Sequence, residues 1–208
     1  DVVVTEMRIV GFTFDGISVR GSDARNVRIG RIEAIDNLDD GVGVSAAAGP
    51  VIVHDSLLMG NGFRTKGKGL LVFDDATATL RDSVVVGNRD GVTVTRGSSA
   101  RLERVLVAGN YDKGVGVSAA SLTAASVQVL SNGYDPERAE PSPNGDGLRV
   151  GLGGSANFSD SRIAGSGDSG VVVLDTSTVE LADCVVERNR GAQTHVAETG
   201  RLTQRRSR

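Results

Sequence analysis

The sequence predicts an all-β solenoid: about eight short coils of 22–34 residues, stacked in parallel into one rod. Three observations predict it. The phrase "DSVVVGNRDGVTV" has relatives along the chain in "HDSLLMGN", "ERVLVAGN", "SVQVLSN" and "ADCVVERN". Within each phrase apolar residues recur at every second position, the period of a strand, and no helical period competes with it. Each phrase is followed by a Gly, in a 208-residue chain that holds 28 Gly, no Trp and only 3% aromatic residues. One such unit cannot bury its apolar face alone, whereas stacked units bury a continuous column.

Setting the Asn of each phrase as a zero point aligns Phe12, Asn37, Asn61, Asn88, Asn110, Asn132, Ser166 and Asn189. The steps are 25, 24, 27, 22, 22, 34 and 23 residues. Eight positions before zero stand Val4, Ile29, Val53, Leu80, Leu102, Ala124, Phe158 and Leu181, which mark a first strand. Five before stand Met7, Ile32, Ser56, Ser83, Val105, Val127, Ser161 and Cys184. Three before stand Ile9, Ala34, Leu58, Val85, Val107, Val129, Ile163 and Val186, which mark a second strand. Past zero come Gly16, Gly41, Gly69, Gly91, Gly114, Gly147, Gly170 and Gly191; in the first seven units apolar residues follow at one and three positions on, a third strand.

The column Asn37, Asn61, Asn88, Asn110, Asn132 and Asn189 is expected to be a structural ladder. Asn tolerates a left-handed corner and hydrogen-bonds along a stack. The Gly column is expected to serve the next corner. Parallel coils lie ~4.8 Å apart, so eight of them span roughly 38 Å. Residues 1–208 read as a single domain. The chain opens in mid-pattern on "DVVVTEMRIVGF" and closes on "GRLTQRRSR", as a piece of a longer chain would.

"DSVVVGNRDGVTV" and its seven relatives resemble the right-handed parallel β-helix repeat of the pectate-lyase-like group, also described as the carbohydrate-binding and sugar-hydrolase repeat family. The resemblance covers nearly the whole chain and implies a right-handed helix. It implies no single activity, since these coils serve lyases, hydrolases, epimerases, tailspikes and adhesins. The local signatures of the enzymes on this fold are incomplete. Of the polygalacturonase-like elements only Asp pairs occur, at Asp39-Asp40 and Asp74-Asp75. A Trp-x-Asp-His segment cannot form without Trp, and Asp135-Pro136-Glu137-Arg138 has Glu where an epimerase-like motif carries His.

The net charge of −3, with scattered basic residues, points to no nucleic acid, and no apolar run is long enough for a membrane span. His54 and His195 stand alone, and the single Cys184 excludes an internal disulfide; it shares a column with Ser56, Ser83 and Ser161 and reads as a small inward residue. Asp39-Asp40 reads as turn chemistry, with an acid/base pair or part of a Ca²⁺ site as the sharper alternative. The residues just before the column Gly run Asp15, Asp40, Lys68, Asp90, Lys113, Asp146, which predicts an exposed ion ladder.

Two insertions leave from the same corner, at 62–68 and 133–146. Loops on a rigid scaffold carry function, so these predict a groove over coils three to six. Its ligand-binding residues would be Phe63, Arg64, Lys66, Tyr111, Tyr134 and Asp135. Catalytic candidates on its floor are Asp90 or Asp112 as base, with Lys113 or Arg89 stabilising negative charge. Asp135, Asn144 and Asp146 are the candidate Ca²⁺ ligands; no other cofactor is expected.

The second strand of coils three to five is apolar on both faces, as in "LLM" and "VVV", which predicts a covering partner there: another domain, a chain copy or a tail. The functional expectation is a non-catalytic binding or structural module of a larger secreted or cell-surface bacterial protein, extracellular or periplasmic, recognising glycan or protein. The alternative is a polysaccharide-acting lyase, epimerase or glycoside hydrolase using the rim groove.

Overall fold

A computed structural model describes the chain except residues 48, 64, 135–139, 143 and 207–208. Three parallel sheets run along a solenoid. Sheet A has nine strands, from Val2–Thr5 to Arg201–Arg205; sheet B has eight, from Arg8–Val10 to Val185–Glu187; sheet C has eight, from Ile17–Arg20 to Thr194–Val196. Each coil contributes one strand to each sheet, and the last strand of sheet A begins a ninth turn. In coil four these strands are Thr77–Arg81, Val84–Val86 and Asp90–Thr95.

The aligned columns are the core. Ile29, Val53, Leu80, Leu102, Ala124, Phe158 and Leu181 point inward from sheet A, and Ala34, Leu58, Val85, Val107, Val129 and Ile163 from sheet B. The column that ends in Cys184 hydrogen-bonds as it buries itself. Ser83 Oγ accepts the Ser56 N–H at 3.1 Å and donates to the Arg81 carbonyl at 2.7 Å. The Cys184 thiol lies 3.3 Å from the Ala182 carbonyl in the same geometry, and burial pushes its pKa up.

The asparagines are buried and linked coil to coil. Asn37 donates from Nδ2 to Asn61 Oδ1 at 2.9 Å, Asn61 to Asn88 at 2.9 Å, Asn88 to Asn110 at 3.1 Å and Asn110 to Asn132 at 2.8 Å. The same Oδ1 atoms accept the backbone N–H of the coil below. Ser166 interrupts this run with a buried hydroxyl that has no hydrogen-bond partner.

Two expectations about the corner are corrected. None of the ladder asparagines is left-handed; the residue before each zero position is, at Gly11, Asp36, Gly60, Gly87, Gly109, Ser131, Gly165 and Arg188. The turn is made one residue early, which leaves the Asn side chain free to point into the stack. The column Gly does not take positive φ either. A Cβ on Gly41 would lie 2.8 Å from Asn61 Nδ2 and 2.7 Å from the Gly69 carbonyl, so close packing on the ladder, not the turn, requires Gly. Register also replaces Gly191 in this column: Val171 pairs with Thr194, which sets Gln193 beside Gly170. Gln193 Oε1 accepts Asn189 Nδ2 at 2.8 Å and closes the ladder.

The column before the Gly is not an exposed ladder: Asp15, Lys68 and Lys113 are half-buried and the other aspartates are buried. Asp40, Asp90 and Asp146 are 4%, 8% and 0% exposed. Each carboxylate accepts the N–H of the next coil's equivalent residue: Lys68 on Asp40 at 2.7 Å, Lys113 on Asp90 at 3.3 Å, Ser169 on Asp146 at 3.2 Å. Exposed ion pairs lie elsewhere, some of them at the corner between sheets A and B, where Arg31 meets Glu6 and Arg104 forks onto Asp82.

Candidate active site

The two insertions do not stand as free walls. Gly62 N–H reaches the Asn37 carbonyl at 3.0 Å, and Thr65 Oγ1 donates to the Leu38 carbonyl, so the coil-three insertion rests on coil two. In the coil-six insertion Tyr134 bridges Pro141 in antiparallel fashion, and Ser142 Oγ donates to Asp112 Oδ1. Between them Phe63 meets Tyr111 edge-on, with ring centroids 6.3 Å apart. The Arg89 guanidinium lies 4.3 Å from the centre of the Tyr111 ring, and its Nε is 3.0 Å from Asp112 Oδ2. Lys113 Nζ pairs with Asp90 at 3.2 Å.

Phe63, Arg89, Tyr111 and Asp112 are therefore brought together, but as a knit surface whose charges already face one another. Lys66 is exposed nearby, its carbonyl accepting from Lys68 Nζ, and Tyr134 is 41% exposed. Arg64 and Asp135 lie outside the described residues. Asp146 is engaged twice, by the Ser169 N–H and by Arg149 Nε at 2.6 Å, and the Asn144 carbonyl accepts the Asp146 N–H. Burial raises the Asp146 carboxyl above the usual range, against the opposing pull of Arg149.

A second convergence lies on coils one and two. One carboxylate oxygen from each of Asp15, Asp39 and Asp40 comes within 4.8 Å of the others. Stacking makes the cluster: Asp15 sits in the coil below Asp40, its Oδ1 3.4 Å from the Asp40 N–H. Arg20 Nη2 pairs with Asp15 Oδ2 at 3.0 Å. Gly43 opens the space beside them, since a Cβ there would lie 2.8 Å from Asp15 Oδ2 and 3.7 Å from Asp40 Oδ2.

Asp40 is the unusual member. Its carboxyl is pushed up to about 7, first by burial, against the N–H bond and charge of Lys68, and further by the charges of Asp39 and Asp15. Such a group is about half protonated at neutral pH and can serve as a proton donor beside exposed Asp39. The coil-three insertion borders the cluster, because Gly67 packs directly against the Asp39 carbonyl. A hollow of about 390 Å³ is lined by Asp36, Asn37, Leu38, Gly60 and Phe63; Asp15, Asp39 and Asp40 do not line it. The Asp39-Asp40 pair was visible in sequence; Asp15 was not assigned to it, although "TFDG" and "LDDG" occupy the same column in consecutive coils.

The right-handed β-helix region family matches residues 68–207. The chain belongs to that family. A comparison with curated proteins gives no match. Among solved structures the β-helix is similar to the Azotobacter vinelandii mannuronan C-5 epimerase AlgE4 A-module, with 17% identity and a TM-score of 0.60 over 98% of this chain and 58% of that one. It is similar to Geobacillus virus E2 ORF18, with 14% identity and a TM-score of 0.58 over 93% and 50%, and to pectate lyase Pel9A, with 14% identity and a TM-score of 0.56 over 85% and 55%. At these identities the likeness is one of fold. The β-helix spans 50% to 58% of the length of these structures.

Proposed function

We propose that this β-helix is a polysaccharide-acting domain, a glycoside hydrolase whose reacting groups are Asp15, Asp39 and Asp40. The observation that carries the proposal is the cluster itself. A 4%-exposed carboxyl with pKa about 7 stands within 4.8 Å of two other carboxylates. Protonated Asp40 would donate to the leaving glycosidic oxygen. Carboxylates this close leave no room for a water between acid and base, so exposed Asp39 would attack the anomeric carbon as nucleophile. Asp40, having given up its proton, would take one from the water that then releases the sugar from Asp39. Asp15, held by Arg20, would fix the charge beside Asp40. Likeness to a mannuronan epimerase and a pectate lyase supports an extended polysaccharide as substrate, met outside the cell.

The test is release of reducing ends from a panel of neutral and uronic polysaccharides. Asp40→Asn should lower kcat by about 10²- to 10⁴-fold with unchanged folding, and the wild-type rate should fall with a limb near pH 7. Activity that survives Asp40→Asn and Asp39→Asn overturns the proposal.

The Phe63–Tyr111–Arg89 stack favours a second reading, a non-catalytic module of a larger secreted or surface protein that holds glycan or protein on the rim. Retention on a polysaccharide column without cleavage, lost in Tyr111→Ala and kept in Asp40→Asn, would establish that reading instead.

A further inference from the structure

The outer face of sheet B consists of two files of side chains. Register sets Arg8, Glu33, Leu57, Val84, Leu106, Gln128, Arg162 and Val185 in one file. The other runs Val10, Ile35, Met59, Val86, Ala108, Leu130, Ala164 and Glu187. The residues between the files, Leu58, Val85, Val107 and Val129, are fully buried in the core, so the files point outward.

The second file is apolar from Ile35 to Ala164, but Ile35 and Ala164 are buried at 5% and 6% exposed, so its accessible part is Met59, Val86, Ala108 and Leu130 in coils three to six. The first file is apolar in coils three to five and becomes polar at both ends. Each end carries one ion pair. Arg8 meets Glu33 at 3.1 Å at one, and Arg162 meets Glu187 at 2.7 Å at the other.

We propose that this face pairs with the same face of a second copy, the two rods antiparallel about a two-fold axis along the strands. That axis puts each coil against the coil equally far from the other end. Glu33 in coil two then faces Arg162 of the second copy in coil seven, and Arg8 lies diagonal to the second copy's Glu187. Each end gathers two positive and two negative groups in alternation. The centre sets Val84 against Leu106 and Met59 against Leu130, apolar on apolar. A two-fold axis along the rod would instead press Glu33 against Ile35 and Arg162 against Ala164, desolvating the Arg8–Glu33 and Arg162–Glu187 pairs with no opposite charge gained from the second copy. The observed order of charges therefore selects the antiparallel arrangement.

Size sets the strength. Four coils at ~4.8 Å give an accessible apolar strip roughly 19 Å long, and three strand residues make it about 10 Å wide. That is about 200 Å² per copy, well below the ~800 Å² per partner of a tight complex. The dimer is thus reversible, with a dissociation constant in the micromolar range or weaker.

Sedimentation of the whole chain from about 10 μM to about 1 mM tests it. A concentration-dependent monomer–dimer equilibrium is expected. Val84→Lys or Leu106→Glu should weaken it by about tenfold or more while the far-ultraviolet circular dichroism and Tm stay unchanged, since both side chains lie outside the core. Glu33→Arg alone should weaken the dimer, and Glu33→Arg with Arg162→Glu should restore it. A monomer at about 1 mM, a dimer indifferent to Val84→Lys, or a double charge reversal that fails to restore pairing each overturns the proposal.

Discussion

Gly109 and Gly114 stand five residues apart in coil five and separate two reasons for glycine. Gly109 has φ +58°, and a Cβ there would meet nothing within 4 Å. Gly114 has an ordinary φ, but a Cβ would lie 2.6 Å from Val129 Cγ1, 2.7 Å from Asn132 Nδ2 and 2.8 Å from the Gly147 carbonyl oxygen. Gly109→Ala forces Ala into a left-handed turn, a cost of about 1–2 kcal/mol, offset by about 0.4–1 kcal/mol from the stiffer unfolded chain. The net loss is about 1 kcal/mol. Gly114→Ala gains the same offset but must displace a core methyl, a ladder amide and a carbonyl together. Overpacking of this kind costs about 1–3 kcal/mol, and two of the three neighbours here are tied into hydrogen bonds, which places it at about 3 kcal/mol. For a chain of this size the expected drops in Tm are about 2–4 °C for Gly109→Ala and about 6–12 °C for Gly114→Ala. Thermal melts followed by circular dichroism, with urea midpoints as a check, measure both. If Gly109→Ala proves the more damaging, close packing on the ladder is not why the Gly column exists.

Other outcomes follow from the same structure. Ser166→Asn should complete the ladder between Asn132 and Asn189, replacing a buried hydroxyl that has no partner. The gain is about 1 kcal/mol, read as a Tm rise of about 2–4 °C; a lower Tm would show that the coil-six insertion has closed the space. Asp40 binds its proton more tightly folded than unfolded. Its contribution to stability is therefore fully present below the ordinary aspartate range and is lost as pH rises through about 7. Urea midpoints should fall over that window in the wild type and less in Asp40→Asn; parallel curves would contradict it. Cys184 should resist a thiol reagent in the native protein and react on denaturation, because its thiol is buried with a raised pKa.

The coils were legible because one residue type in one column is a strong signal. The asparagines marked where coils meet, but the parity of sheet B was open in the sequence because its strands are apolar on both faces, and burial of Leu58, Val85, Val107 and Val129 decides it. Turn conformation was not legible. Gly, Asp, Ser and Arg all occupy the left-handed position before the Asn, so no single residue type marks it. The Gly column was visible, but its cause, contact with an amide one coil above, is a distance between coils that spacing along the chain does not state. Gly191 was misplaced for a related reason. The last coil keeps the same step from Asn189 to its column position that coils one, two, five and seven use, but Gln193 stands there where the others have Gly, and only pairing of Val171 with Thr194 shows it. At the candidate site, Asp39-Asp40 was readable as a pair, whereas Asp15 joins it through stacking alone.

One structural column explains how an acid site can arise without disturbing the rod. Asp90 and Asp146 accept an N–H from the next coil, and each also has a cation at hand: Lys113 Nζ at 3.2 Å and Arg149 Nε at 2.6 Å. Asp40 performs the same backbone duty for Lys68, but the Lys68 ammonium turns to the Lys66 carbonyl instead. Asp39 stands next to it, Asp15 stands one coil below, and Gly43 leaves room for the Asp15 carboxylate. The backbone bond holds the carboxyl in place, while burial and two like charges favour its protonated form. The position is fixed by the fold and the chemistry by its neighbours, so the same column yields an ion-paired strut in coils four and six and a carboxyl with raised pKa in coil two.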